Sequence, residues 1–458
     1  MERWTIQRLQ EGYRSKEFSP VEVTKQYLEQ IYASNPRYNA FITITEELAL
    51  NQAKVLERKM IAGYDLGKMF GIPISFKDII STKGILTTNG SYIDRDNIPG
   101  ENAPVVQQMA ASDGITLGKN NLHEFAFGLT SNNPHYGAVR NPWNTNKTPG
   151  GSSGGSAAAV VANTSVVSFG TDTGASIRVP ASSCGIVGLK PTRGLISTKD
   201  VTGISWTLDH VGPLTANMTD LAIVMDSLTN KTYLEQSQSD VKGLKVGIPS
   251  SYFNEKVDSE SYEIFEQSIK ALENLGAIIV KVDLPELKEN QDVGFIIALS
   301  ETSFLHQQNI KNKIDQYGSD VKAIMASATG FTATDYLNSL NVIKGYTKQF
   351  EEVFKDIDVM ATLTMPNTPQ DIGVDEIMVN GINEDLFNYM TRNTFIFNMI
   401  GFPALSIPCG IAENGLPVGL QLAALPHRED LLMKTGFAFE KDQLEDFYQI
   451  RDSKCVIN

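Results

Sequence analysis

Residues 148–191 read TPGGSSGGSAAAVVANTSVVSFGTDTGASIRVPASSCGIVGLKP. Two glycine loops that carry serines flank a run of small residues and a short apolar run. Ala157 to Ala162 suits a helix, and Val166 to Phe169 suits a fully buried strand ending at Gly170. A strand that runs into a glycine-bearing loop puts that loop at a carboxyl edge, where open α/β sheets hold their sites. If Ser176 caps a following helix, the backbone N–H groups of Thr173, Gly174, Ala175 and Ser176 in GTDTGAS converge on one point. Converging donors of that kind are what a developing oxyanion needs. On this loop alone, a structural Gly/Ser turn with Ser176 as a simple N-cap weighs more.

The first loop, GGSSGGS, admits two readings that both fall short. A phosphate loop requires G-x-x-x-x-G-K-[ST], and no lysine follows these glycines. G-x-S-x-G occurs twice, over Gly150–Ser152–Gly154 and Gly151–Ser153–Gly155, but a nucleophile elbow needs a buried strand immediately before it. NPWNTNKTP is no strand, and His210, His306 and His427 sit in no recognisable acid–histidine setting. A serine nucleophile still needs a base. Lysine serves if it is neutral, and burial favours the neutral amine. Lys77 ends the apolar run ISFK of GIPISFKDII, so a buried amine there is plausible; taken alone, pairing with Asp78 at a strand end weighs more.

Outward from that core the chain alternates helices and strands. Residues 19–34 form a helix that starts with Ser19 as N-cap, Pro20 at the first position and Glu22 closing a capping box; Val23, Tyr27 and Ile31 share one face. Further helices are expected over 45–62, 102–112 and 259–275, the last stopped by Gly276. Strands are expected at Ile72 to Phe76, Ile115 to Gly118, Leu244 to Ile248, 277–284, Asp358 to Thr364, Ala404 to Pro408 and Val418 to Ala424. Residues 128–149 read as loop, and helices dominate 287–356. This rhythm predicts one α/β domain over 1–458, a central sheet with helices packed on it. Its core covers about 65–215 and 391–458, and a more variable, substrate-covering region lies between.

The 458 residues carry a net charge of −14, which argues against a non-specific nucleic-acid or anionic-membrane binder. Cys184, Cys409 and Cys455 are widely spaced, with no C-x-x-C and no Cys/His cluster, so neither a disulfide framework nor a zinc site is expected. The amino-terminal stretch is polar, and no run reaches the roughly 18 apolar residues of a membrane span. A cytoplasmic location is therefore expected, without cofactor, metal or direct nucleic-acid partner, as a monomer or homodimer.

Taken together, these pieces resemble the amidase signature family. The similarity runs through SPVEVTKQYLEQI, GIPISFKDII, GKNNLHEFAFG, GAVRNPWN, PGGSSGGSAAA, GTDTGASIRVPASSCGIVGLKPTRG, DHVGPLT, GFPALSIPCG and GLPVGLQL, and is weakest over roughly 230–390. The resemblance implies a mixed central β-sheet covered by helices on both faces. It also implies a Ser–cisSer–Lys triad in which Lys77 is the base, Ser152 the bridging serine after a cis peptide bond, and Ser176 the nucleophile. Thr173, Gly174 and Ala175 then belong to the oxyanion loop, and Ser153, Asp172 and Arg178 support both loops. The implied activity is hydrolysis of a small-molecule amide through an acyl-enzyme. One departure is GAS where the family commonly has GGS, which requires Ala175 to sit in an ordinary backbone region or to bear strain.

Within the family, the amino-terminal half is similar to the A subunit of the glutamine-dependent aminoacyl-tRNA amidotransferase. The carboxyl-terminal half departs from it. Where that subunit carries an Asp that holds the amino group of glutamine, this chain reads YMTRNTFIFNMIGFPA, with Thr391 or a neighbour in its place. The expectation is therefore a free-standing amidase; the alternative is the A subunit of that amidotransferase. Phe395, Phe397 and Phe402 would suit an apolar substrate if they faced the pocket; for any one of them, a place in the core weighs more.

Overall fold

The computed structural model describes residues 3–287, 289–379 and 381–456. Its centre is a mixed sheet of eleven strands. From one edge to the other these are Phe41–Ile44, Ile115–Asn120, Pro73–Lys77, Val167–Asp172, His210–Thr215, Val187–Lys190, Ala404–Ile411, Pro417–Ala423, Val359–Leu363, Lys245–Pro249 and Ile278–Val282. Pro73–Lys77 lies parallel to both of its neighbours, Ile115–Asn120 and Val167–Asp172. The carboxyl ends of these three strands therefore emerge together, which brings Lys77 beside Thr171 although 94 positions separate them.

Helices cover both faces, so the central strands are buried on both sides. Val167–Asp172, Val187–Lys190, His210–Thr215 and Pro417–Ala423 are buried at every position. The helix Pro20–Tyr38 has the expected capping box, with Ser19 and Glu22 satisfying each other's backbone N–H groups. The expected helix after residue 258 spans Ser259–Asn274, and Gly276 follows at φ +97°. Among the described residues no helix is long and apolar enough to cross a membrane, and none of the three cysteines forms a disulfide.

Three local expectations change, each for a packing reason. The strand read as ending at Gly170 continues to Asp172. Gly170 pairs with Gly212 across the sheet, and a Cβ on it would lie 2.7 Å from Ser153 Oγ. The glycine serves close approach, not a turn. The helix read from Ala157 begins at Gly154, because Gly155 packs on backbone: a Cβ there would lie 2.2 Å from the Asn121 carbonyl oxygen. Ser176 does not cap the next helix, which spans Arg178–Cys184 after Ile177. Its first amides are capped at a distance by Asp172, whose Oδ2 accepts from Ile177 N at 3.1 Å and Arg178 N at 3.4 Å.

Candidate active site

Lys77 ends its strand fully buried. Its Nζ lies 2.7 Å from Ser152 Oγ and 2.7 Å from Thr171 Oγ1. The pairing with Asp78 does not form. Asp78 turns the other way, where its Oδ2 accepts from Thr88 N at 2.9 Å and its Oδ1 lies 3.5 Å from Lys119 Nζ. Burial pulls the pKa of Lys77 down to about 7, against the opposing charges of Asp172 and Asp209. A large share of the side chain is therefore the neutral amine near neutral pH.

The Gly151–Ser152 peptide bond is cis. The Ser152 carbonyl accepts from His123 N at 3.2 Å and Ser131 Oγ at 3.3 Å, which fixes the loop behind the hydroxyl. Ser153 joins the two serine loops. Its N–H donates to the Ser176 carbonyl at 3.3 Å, and its Oγ donates to the Thr171 carbonyl at 3.2 Å.

Ser176 is 5 % exposed and lines a cavity of about 450 Å³ together with Thr173, Gly174 and Ala175. Among the described residues no group hydrogen-bonds its hydroxyl, which leaves that hydroxyl free to meet a ligand. Ala175 keeps out of the positive-φ region and is fully buried against Leu129, Val179, Met365, Leu386 and Met390. The methyl group that replaces the family's glycine thus fills an apolar niche without backbone strain.

Asp172 and Arg178 form a buried bidentate pair, with Arg178 Nη2 donating to Oδ1 at 2.9 Å and Nε to Oδ2 at 3.0 Å. Burial pushes the Asp172 carboxyl up, but the Arg178 charge and the hydrogen bonds from Arg178 and Asn398 outweigh it and hold the group well below the carboxylate range. Arg178 also donates to the Thr394 carbonyl at 2.9 Å and to Gln421 Oε1 at 2.8 Å. One side chain therefore ties the 172–176 loop to the carboxyl-terminal third of the chain.

Several groups at this site carry no local sequence signal. Nothing in the neighbouring residues marks Thr171, Asn398 or Gln421. Asp209 lies within DHVGPLT, yet nothing in that motif points to its contact with Thr173. Phe295, Ile324 and Phe387 from the variable region and Phe395 from the carboxyl-terminal part of the chain face the cavity, while Phe397 and Phe402 pack in the interior. Thr391 lines it too, accepting from Gln291 Nε2 at 2.9 Å. At the rim, His123 Nε2 and Asp320 Oδ2 stand 2.8 Å apart. Among the described residues no group of three or more His, Cys, Asp or Glu could hold a metal ion.

The long mixed sheet, its two helical layers and a buried lysine beside two serine loops define the amidase signature fold. A family model for Amidase matches residues 22–433, and the chain belongs to that family. The glutamyl-tRNA(Gln) amidotransferase A subunit of Caldanaerobacter subterraneus subsp. tengcongensis is 37% identical over 475 residues, covering 95% of this chain and 96% of that protein. A solved structure of an amidase superposes with a TM-score of 0.91 at 26% identity, over 96% of this chain and 100% of that one. The glutamyl-tRNA(Gln) amidotransferase A subunit from Thermotoga maritima superposes with a TM-score of 0.79 at 29% identity, over 96% and 95% of the two chains.

Proposed function

We propose that this chain hydrolyses a carboxylic amide through an acyl-enzyme on Ser176. The observation that carries the reading is the fully buried Lys77 amine 2.7 Å from Ser152 Oγ. Neutral Lys77 takes the Ser152 proton while Ser152, brought within hydrogen-bond reach of Ser176 in the substrate complex, takes that of Ser176. The Ser176 oxygen attacks the amide carbonyl, and backbone N–H groups at residues 173–176 stabilise the oxyanion. The relay then returns the proton to the leaving nitrogen, so ammonia or an amine departs. A water activated through the same relay hydrolyses the ester and restores the Ser176 hydroxyl.

Of the two settings for this chemistry, the curated relatives support the subunit better than the free-standing enzyme expected from the sequence. In that reading the chain hydrolyses glutamine as the A subunit of a tRNA amidotransferase and delivers ammonia to a protein partner. The support is similarity over nearly the full length of both chains. Asp375 and Asp385, which line the cavity, offer carboxylates to an amino group. The second reading, a self-sufficient amidase, is favoured by the aromatic wall of Phe295, Phe387 and Phe395 and by the expectation that Thr391 or a neighbour stands where the subunit carries an acid. In either, residues 215–390 cover the substrate.

The purified chain, assayed alone for ammonia release from glutamine and from aliphatic and aryl amides, separates the two. Dominant glutaminase activity that a partner protein stimulates is expected for the subunit. Robust turnover of other amides without a partner excludes it. No release from any amide, with Ser176 inert to a serine-directed phosphonate, refutes the hydrolase reading itself.

A further inference from the structure

Next to the 450 Å³ cavity, with Ala126, Thr173 and Ile204 common to both linings, lies a second cavity of about 120 Å³. Thr171, Thr173, Asp209 and His210 line it, so the partner of Lys77 and the head of the oxyanion loop border the same space. Thr173 Oγ1 donates to Asp209 Oδ1 at 2.6 Å. The other carboxylate oxygen, Oδ2, accepts from Ile204 N at 2.9 Å and Ser205 N at 3.0 Å. Gly203 makes room for it, since a Cβ there would lie 2.6 Å from Oδ2. Among the described residues, every hydrogen bond to this carboxylate comes from the turn that precedes it or from Thr173.

The same turn is anchored from the far side. Glu301, buried on the helix Asn290–Leu305, accepts from Ser205 Oγ at 2.6 Å, Thr207 N at 3.0 Å and Tyr336 OH at 2.8 Å. Tyr336 belongs to the helix Ala333–Val353. A continuous chain of hydrogen bonds thus runs from the helices of the variable region through Glu301, the 203–207 turn and Asp209 to Thr173.

We propose that Asp209 is a positioning residue for the reaction: it clamps Thr173 through the hydroxyl so that the N–H donors at 173–176 keep their aim. The inference rests on the reading of Ser176 as nucleophile. A charge consequence accompanies the clamp. The charged groups bearing on Lys77 are Asp172, itself paired with Arg178, and Asp209; Asp209 in turn faces Glu301, with the buried His210 next to it. Asp209 favours the ammonium form of Lys77, so removing its charge lowers the lysine's pKa further.

The test uses the full chain and an amide that the wild type turns over, with Ser176→Ala as reference. Asp209→Asn is expected to lower kcat about tenfold to a hundredfold with KM within about twofold. It should also move the acid limb of the pH–rate profile to lower pH. Thr173→Val should lower kcat while moving the limb less than Asp209→Asn does, because it keeps the Asp209 carboxylate, and Thr173→Ser, which keeps the hydroxyl, should recover most of what Thr173→Val loses. If Asp209→Asn fails to fold, Thr173→Val with an unchanged melting temperature carries the test. Retention of kcat within about twofold in the folded Asp209→Asn and Thr173→Val variants overturns the proposal. Turnover surviving in Ser176→Ala overturns the underlying reading instead, whatever Asp209→Asn does.

Discussion

Lys77 is charged in the unfolded chain and close to evenly divided between amine and ammonium in the fold at pH 7, because burial removes the water that solvates the ammonium. Its folded pKa of about 7 lies below the unfolded value of about 10.4, so as pH falls the unfolded chain takes up the proton first. Its effect on stability is therefore progressively unfavourable between about pH 10 and pH 7 and constant below that window. Catalysis should likewise weaken as pH drops through about 7 and Lys77 protonates; a rate flat down to pH 5 would count against it as the base. Lys77→Met should abolish turnover yet leave the melting temperature at pH 7 equal to or above that of the wild type, by calorimetry, since an apolar chain of similar volume needs no desolvation. The buried pair of Asp172 and Arg178 behaves in the opposite way. Arg178→Met leaves the Asp172 carboxylate without its ionic partner and should cost about 3–5 kcal/mol in urea unfolding.

Elements near the site are shaped by how closely backbones approach. Gly155 lies on the first turn of the helix Gly154–Val161, against the backbone of Asn121 and Ala40. Gly155→Ala must displace that backbone and should destabilise the fold by about 1–3 kcal/mol, read as a lower urea midpoint with an unchanged slope. The capping box at Ser19 and Glu22 was legible because all its partners lie within one turn. The glycines at 154, 155 and 170 were not, because glycine carries the same letter whether it permits a turn or a close approach. Ser176 was read as a helix cap by the same local logic. The cap comes instead from Asp172, on the preceding strand, which the local pattern at Ser176 does not reveal.

Across the whole molecule, the eleven strands form one continuous sheet, and the site sits where three parallel strands end together. Stability should grade outward from the centre. Val167–Asp172, Val187–Lys190 and Pro417–Ala423 are buried throughout and paired on both sides, whereas Ile278–Val282 is an edge strand with a single neighbour and a half-exposed Ile278. Hydrogen exchange followed by mass spectrometry should therefore find the central strands protected longest and residues 278–282 opening first. Exchange at 278–282 as slow as at 167–172 would refute that order. The wall of the 450 Å³ cavity joins residues 123–130 and 173–176 to residues of 295–390, where the resemblance to the family is weakest, so the cavity exists only at this scale.

The sequence by itself determined the family, the alternating architecture and the residues to watch in the two serine loops, because ordered motifs and short-range periodicity are written in neighbouring letters. It ranked Lys77 with Ser152 and Ser176 only through resemblance. The tertiary structure decided which polar groups meet: Lys77 with Ser152 rather than Asp78, Lys119 with Asp78, and Asp209 with Thr173. It also decided that Phe395 faces the cavity while Phe397 and Phe402 fill the core. The physical reason is common to all of these. Burial and partner choice are set by strand order and helix placement, and residues 36 to 75 positions apart become neighbours only once the sheet is built.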